Sequence, residues 1–134
     1  MSRPEPLSPT DRLAAAKRSL GIGDVVVLCG SMRFADQMAE IAIQESCSQP
    51  GALVLKPDCN MKLPHPLWAD PAEAEALKAR LDDLHRRKIR LADRVIIVGD
   101  YAGDSTRGEI AYARELGKPI RFTAPTLEAE FAAV

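Results

Sequence analysis

Val25-Val26-Val27-Leu28, followed directly by Cys29-Gly30-Ser31-Met32-Arg33, is the stretch that decides the fold of this chain. The four apolar residues do not alternate with polar ones, which predicts a short strand covered on both faces, as in a parallel sheet. The small, hydroxyl-bearing turn after them predicts a junction into a helix. Such a junction exposes backbone N–H groups and a helix N-terminus, both of which suit an anion.

A second junction of the same kind lies later in the chain. A β-branched strand is predicted over 94–98, and Asp104-Ser105-Thr106-Arg107-Gly108-Glu109 follows it. Ligands of α/β proteins bind at the carboxyl ends of the strands. If the first and third strands are neighbours, the two loops face one another there, and we predict the binding site at that edge.

The rest of the chain alternates between helical and strand patterns, which indicates an α/β domain with a parallel sheet and right-handed crossovers. At 134 residues it fits one domain, predicted over 9–134 after a flexible tail at 1–8. A proline-rich loop without periodicity, typical of a lid or binding element, is predicted over 57–71. The predicted helices are 9–19, 33–46, 72–91 and 106–116, the predicted strands are 25–28, 52–55, 94–98 and 119–122, and a helical turn is predicted around 127–131.

Composition excludes several classes of protein. The net charge of −1, from 18 basic and 19 acidic side chains, gives no field that would recruit nucleic acid or an anionic membrane. No apolar run reaches the length of a membrane span, and no signal-peptide core is visible, so we expect a cytoplasmic protein. Three cysteines without a CxxC pair predict reduced thiols, and the histidine spacing predicts no metal. GxGxxG and Walker patterns are also absent, so no cofactor is expected.

Each candidate site residue has a structural alternative. Ser31 and Arg33 can grip a phosphate, or Ser31 can simply cap a helix while Arg33 stays solvated. Glu109, expected in the first turn of a helix whose dipole favours its ionised form, can be catalytic or merely structural. His85, at the margin of an apolar stripe, can transfer protons near neutrality or can be half-buried packing.

Four segments together resemble the nucleoside 2-deoxyribosyltransferase superfamily, over residues 24–122. The resemblance is closest to the branch that hydrolyses the N-glycosidic bond of nucleoside 5′-monophosphates, in which a Cys-Gly-Ser-x-Arg-type loop holds the 5′-phosphate. The segments are Val27-Leu28-Cys29-Gly30-Ser31-Met32-Arg33, Lys88-Ile89-Arg90-Leu91-Ala92-Asp93, Asp104-Ser105-Thr106-Arg107-Gly108-Glu109-Ile110-Ala111-Tyr112-Ala113 and Gly117-Lys118-Pro119-Ile120.

This resemblance implies a flavodoxin- or Rossmann-like three-layer sandwich with a mainly parallel, four- to five-stranded sheet, in a homodimer that binds a small-molecule nucleotide. It implies that Glu109 is the nucleophile of a retaining reaction, with water or another acceptor resolving the glycosyl-enzyme. Ser31, Arg33 and Ser105 would hold the phosphate. The full set of implied binding residues is Cys29, Gly30, Ser31, Met32, Arg33, Asp104, Ser105 and Thr106.

The chain departs from the family at two positions. Relatives carry an aspartate eight residues before Asp93, where this chain has His85. His85 as imidazolium, or Asp83 after a shift of register, can act as the acid, or hydrolysis has been lost. The first loop also lacks the family's tyrosine, which Tyr101 can replace. Further candidates for base or lid contacts are Asn60, His65 and Trp68.

Two other functions remain open at this point. One is a non-catalytic nucleotide-binding sensor or effector module, which the histidine at the acid position favours. The other is an α/β interaction domain whose basic helix docks an acidic partner, with both loops acting as ordinary caps.

Overall fold

The computed structural model of the protein describes residues 5–132, which form eleven elements of secondary structure. Its helices and strands alternate along the chain, as the sequence predicts. The strands are β1 (Asp24–Cys29), β2 (Ala52–Leu55), β3 (Arg94–Ile97) and β4 (Ile120–Phe122); the α-helices are α1 (Pro9–Ser19), α2 (Ala35–Cys47), α3 (Pro71–Leu91), α4 (Asp104–Glu115) and α5 (Pro125–Ala132); single 3-10 turns lie at Met32–Phe34 and Pro66–Trp68.

The four strands form one parallel sheet in the order β2-β1-β3-β4. β1 and β3 are paired, with Cys29 opposite Ile97 at their carboxyl ends. The chain leaves β1 toward one edge of the sheet and β3 toward the other, so the crevice between these two strands is the topological switch point. This arrangement confirms a Rossmann- or flavodoxin-like α/β sandwich and places the two loops on either side of the crevice.

Two apolar layers cover the sheet because successive residues of β1 point to opposite faces. Val26 and Leu28 pack with Met38 and Ile41 of α2. Val25, Val27 and Cys29 pack on the other face, against the buried sides of α3, α4 and α5. Burial on both faces is the reason that the strand sequence is continuously apolar. Cys29 therefore faces α3 and α4 rather than α2.

Several predicted boundaries differ from those observed. α4 begins at Asp104 and not at Thr106, because Gly103 occupies the N-cap position. α2 begins at Ala35, after the separate 3-10 turn at Met32–Phe34. The C-terminal turn predicted around 127–131 is a two-turn helix, Pro125–Ala132. These differences leave the architecture unchanged but move Glu109 from the first turn of α4 to the second.

The ends of the predicted domain are only partly described. The predicted tail, 1–8, includes residues 1–4, which lie outside the described residues, as do residues 133 and 134. Pro9 begins α1 as predicted, with the Ser8 side chain accepting a hydrogen bond from the Asp11 N–H at 3.1 Å. Over residues 5–132, no helix combines the length and the apolar composition that crossing a membrane requires. The homodimer stays a prediction.

Candidate active site

A cavity of about 530 Å³ opens at the carboxyl edge of the sheet, at the switch point between β1 and β3. Its walls come from the loops after β1, β2 and β3, from one face of α3 and from the first two turns of α4. Of the residues singled out in the sequence, those that line it are Gly30, Ser31, Met32, Asn60, His85, Tyr101, Asp104, Ser105, Thr106 and Glu109. Those outside the lining are Cys29, Arg33, His65, Trp68 and Asp83.

The loop after β1 is shaped by Gly30. Its φ of +154° and the 2.7 Å between an added Cβ and the Val98 carbonyl oxygen leave no room for a side chain. The chain then turns at Ser31, whose hydroxyl accepts a hydrogen bond from the Arg33 N–H at 3.2 Å. Ser31 thus caps the turn that follows and also lines the cavity, so the structural and the ligand-binding interpretations are compatible.

Arg33 is not among the residues that line the cavity. Its guanidinium carbon lies 4.0 Å from the centre of the Tyr101 ring, a cation–π contact between the two loops. Tyr101 does line the cavity. In this arrangement Arg33 contacts the ring of a cavity-lining tyrosine, and its role in phosphate binding stays a prediction.

The N-terminus of α4 forms a polar wall of the cavity. The Ser105 hydroxyl lies 3.4 Å from Nζ of Lys78, which also forms an ion pair with Asp82 at 3.3 Å. Thr106 is buried beside it. This wall therefore combines a hydroxyl, an ammonium group and the amide end of a twelve-residue helix, which are groups that bind phosphate.

Glu109 lies one turn further along α4, with 13% of its side chain exposed. Burial raises the pKa of its carboxyl to about 7, and the negative charge of Asp82 contributes in the same direction. Its Oε2 atom has no hydrogen-bond partner within residues 5–132. Glu109 is thus a carboxyl group held at the cavity wall with a free acceptor oxygen.

His85 of α3 lines the cavity and lies next to Glu109 of α4 and Cys29 of β1. Its Nε2 lies 3.7 Å from Oε2 of Glu109 and 3.2 Å from Sγ of Cys29. Burial lowers the pKa of His85 to about 4, with a further contribution from the charge of Lys88. Burial also raises the pKa of the Cys29 thiol well above its ordinary value. At neutral pH the histidine and the cysteine are therefore both uncharged.

One face of α3 supplies residues that the sequence reasoning missed. Lys78 and Asp82 precede His85 by seven and three positions, so all three share the helix face that borders the cavity. Asp83, one residue further on, is exposed and pairs with Arg87 at 3.5 Å. The α3 carboxylate at the cavity is therefore that of Asp82, three positions before His85, and not that of Asp83, the alternative acid predicted from the sequence.

The first part of the proline-rich loop, residues 57–62, lines the cavity, whereas His65 and Trp68 lie outside the lining. Asn60 lines the cavity, and the Asn60 side-chain oxygen accepts a hydrogen bond from the Lys62 N–H at 3.1 Å. His65 and Trp68 stack on one another with ring centres 4.5 Å apart. The indole N–H of Trp68 donates to the Leu63 carbonyl at 2.7 Å. These two aromatic rings stabilise the fold of the loop itself, outside the cavity.

Comparison with known proteins adds no identification to this geometry: no protein-family model and no curated protein matches the chain.

Proposed function

We propose that this protein cleaves the N-glycosidic bond of a nucleoside 5′-monophosphate, with Glu109 as the nucleophile. The observation that carries the proposal is the placement of Glu109. Its free carboxylate oxygen lies at the wall of a cavity at the switch point of a parallel sheet, where α/β proteins bind ligands. The order of the family-like segments in the sequence supports the same reaction.

The two ends of the substrate fit different walls of the cavity. The phosphate is matched by Lys78, Ser105 and the N-terminus of α4 on one side, and by Ser31 on the other. This position leaves the anomeric carbon near Glu109 in the second turn of the same helix. The base then lies toward Asn60, in the loop after β2, and Tyr101, in the loop after β3, both of which line the cavity.

In the proposed reaction the ionised carboxylate of Glu109 attacks the anomeric carbon. The carbon–nitrogen bond breaks, its electron pair leaves with the base, and the base takes up a proton. Water then attacks the glycosyl ester, which releases the sugar phosphate and regenerates the carboxylate with net retention. A partly desolvated carboxylate is suited to this step because it stabilises the positive charge that develops on the sugar.

Two side chains at the cavity can deliver the proton to the base. His85 lies next to Glu109, but it is neutral at pH 7 and must first be protonated. Asp82 lines the cavity on the same face of α3 and is paired with Lys78. Asp83 is excluded from direct contact in this conformation because it lies outside the lining, paired with Arg87.

The test is a chromatographic screen for free base. The protein, kept in EDTA, is incubated with each ribo- and deoxyribonucleoside 5′-monophosphate. We expect release from at least one of them, with Glu109→Gln lowering the rate by about 1,000-fold or more, as loss of a nucleophile does. Glu115→Gln is the matched control, because Glu115 is exposed on the same helix. A Glu109→Gln protein as active as the wild type would overturn the covalent mechanism.

A second candidate is a non-catalytic nucleotide-binding module. The uncharged state of His85 at the position of the family's acid favours it. Such a module predicts a thermal shift with a nucleoside 5′-monophosphate and no free base after prolonged incubation. Release of base by the wild type alone excludes this candidate.

A further inference from the structure

Cys29, His85 and Glu109 form a compact cluster that the proposed reaction uses only in part. Sγ of Cys29 lies 3.2 Å from Nε2 of His85, and Nε2 lies 3.7 Å from Oε2 of Glu109. One donor atom from each residue lies within 4.8 Å of the other two. Around a tetrahedral zinc ion, the same kinds of donor atom are about 3.3 to 3.6 Å apart, given the usual zinc–ligand bond lengths. The Sγ–Nε2 and Nε2–Oε2 separations are close to that geometry.

We propose that Cys29, His85 and Glu109 bind a divalent transition-metal ion, with Zn²⁺ as the best match. A thiolate, an imidazole and a carboxylate are a donor set that Zn²⁺ accepts. Mg²⁺ and Ca²⁺ are disfavoured because they require oxygen ligands almost throughout. The two anionic ligands would neutralise the charge of the ion, which lowers the cost of placing it in a buried position.

The scaffold holds the three ligands on separate, well-packed elements. Cys29 ends β1 and is fully buried, His85 is 6% exposed on α3, and Glu109 extends from α4. The cluster therefore exists in the folded chain without any rearrangement of loops. Such preorganisation favours binding, because the ordering of the ligands has already occurred during folding.

Two further features favour a ligand at this point. Oε2 of Glu109 is buried and accepts no hydrogen bond from residues 5–132, so a carboxylate oxygen is available for coordination. His85 and Glu109 also line the cavity, which provides an entry route and room for water as a fourth ligand. Three protein ligands with one open position are the arrangement found in catalytic zinc sites.

Metal binding and the proposed glycosidase reaction compete for the same carboxylate. A coordinated Glu109 is not free to attack the anomeric carbon, so we expect the metal-loaded protein to be inactive as a glycosidase. The metal can nevertheless be detected without any assay of activity. The two proposals therefore fail independently of one another.

The test is titration of the EDTA-treated, dialysed full chain with Co²⁺. We expect one Co²⁺ per chain, visible-region bands of tetrahedral intensity and a near-ultraviolet thiolate-to-metal band, all displaced by Zn²⁺. Cys29→Ser should remove the thiolate band and weaken Zn²⁺ binding by more than about 100-fold. A loss of this size exceeds the one that follows when a ligand loses only its hydrogen-bond partner. Cys59→Ser is the matched control, because Cys59 lines the same cavity outside the cluster.

A second variant keeps the test decisive if Cys29→Ser does not fold. Glu109→Gln has nearly the same shape, and its folding is checked by circular dichroism. We expect it to retain the thiolate band and to bind Zn²⁺ more than about 100-fold more weakly than the wild type. Absence of Co²⁺ binding by the folded wild type, unchanged Zn²⁺ affinity in Glu109→Gln, or loss of the thiolate band only in Cys59→Ser would each overturn the proposal. Whether the protein releases base in EDTA does not change the meaning of any of these results.

Discussion

The two ends of the parallel sheet both bury polar side chains, but only one end gives them full sets of partners. At the amino end, the buried Lys17 donates to the Leu91 carbonyl at 2.8 Å and to Asp93 at 2.7 Å. Asp93 in turn accepts from the Val25 N–H at 2.8 Å. At the carboxyl end, Glu109 Oε2 and His85 Nδ1 are buried without partners among the described residues.

The buried polar side chains of the amino end therefore serve the fold, whereas those of the carboxyl end are available to a ligand. Buried polar groups ordinarily form hydrogen bonds, and an unpartnered one costs about 1–3 kcal/mol. The amino end follows this rule: the Lys17–Asp93 ion pair joins α1 to the residue that precedes β3, and the hydrogen bond from the Val25 N–H joins Asp93 to β1. The carboxyl end does not, which is expected where a ligand supplies the missing partners. Removing the buried charge of Glu109 at the carboxyl end, and that of Lys17 at the amino end, should therefore change stability in opposite directions.

The largest loss of stability is expected at the amino end, from Lys17→Met. This change leaves the Leu91 carbonyl without its donor and Asp93 without its cation. Urea denaturation should show a loss of about 3 kcal/mol in the free energy of unfolding. This value is at the low end of the range for breaking a buried ion pair, because the Asp93 side chain is 38% exposed. Arg12→Met, on an exposed position of the same helix, should change it by less than about 0.5 kcal/mol. Equal effects of the two variants would contradict the structural role of Lys17.

The second prediction is that Glu109→Gln stabilises the metal-free protein, by an amount that depends on pH. The pKa of Glu109 is about 7 when folded and near its ordinary value of 4.5 when unfolded. The wild type therefore loses stability as pH rises from about 4.5 to about 7, whereas the amide variant does not titrate. At about 1.4 kcal/mol per pKa unit, the variant should be more stable by about 3 kcal/mol at pH 8 and by little at pH 4.5.

Urea denaturation in EDTA at several pH values measures this difference. Glu115→Gln, exposed on the same helix, should follow the wild type throughout. A Glu109→Gln protein less stable than the wild type at pH 8 would mean that the carboxylate has partners in solution. The contrast between the ends of the sheet would then disappear.

The third prediction applies the same substitution to the amino end, at Glu45. Its two carboxylate oxygens accept hydrogen bonds from the Arg94 guanidinium at 2.8 and 3.3 Å. The bonds from Arg94 hold the pKa of Glu45 below its ordinary value despite the opposing effect of burial. Glu45→Gln should therefore destabilise the protein by about 1–2 kcal/mol at pH 7, because charge-assisted hydrogen bonds are weakened. Thermal unfolding measures the change in stability, which should have the opposite sign to the change in Glu109→Gln.

The pH dependence of that loss should also be opposite. A carboxyl with a lowered pKa stabilises the fold above its unfolded pKa, and this contribution is lost as pH falls through the folded value. The gap between the wild type and Glu45→Gln should therefore close in acid. A gap that does not narrow as pH falls below the ordinary pKa of a glutamate would assign the loss to packing rather than to charge.

The sequence predicted the sheet better than it predicted the site. Apolar runs and turn residues are local signals, and they identified all four strands and the neighbouring loops. The cluster is not local, since Cys29 and His85 are 56 residues apart and meet only when α3 packs on β1. Asp82 was missed by one position, because the periodicity of α3 leaves the rotation of the helix undetermined until its packing is known. Gly103 also displaced the start of α4, since a glycine cap carries no side-chain signal.

The smallest effect is expected at the carboxyl end itself, from Arg33→Met. The resemblance assigns Arg33 to the phosphate, but its guanidinium lies over the Tyr101 ring and outside the cavity lining. An exposed cation–π contact contributes about 0.5–1 kcal/mol, so we expect a stability loss of that size or less. Affinity for the nucleotide that the base-release screen identifies should change by less than about threefold, which is below 1 kcal/mol.

A tenfold or greater loss of affinity in Arg33→Met would show that the guanidinium leaves Tyr101 and reaches the ligand. The polar groups of the carboxyl end would then change partners on binding, while Lys17 and Asp93 keep theirs. The contrast between the two ends would in that case be one of mobility as well as of hydrogen bonding. A change below threefold would instead favour Lys78 and Ser105 as the phosphate-binding groups. The Lys78 Nζ and the Ser105 hydroxyl already lie 3.4 Å apart at the wall of the cavity.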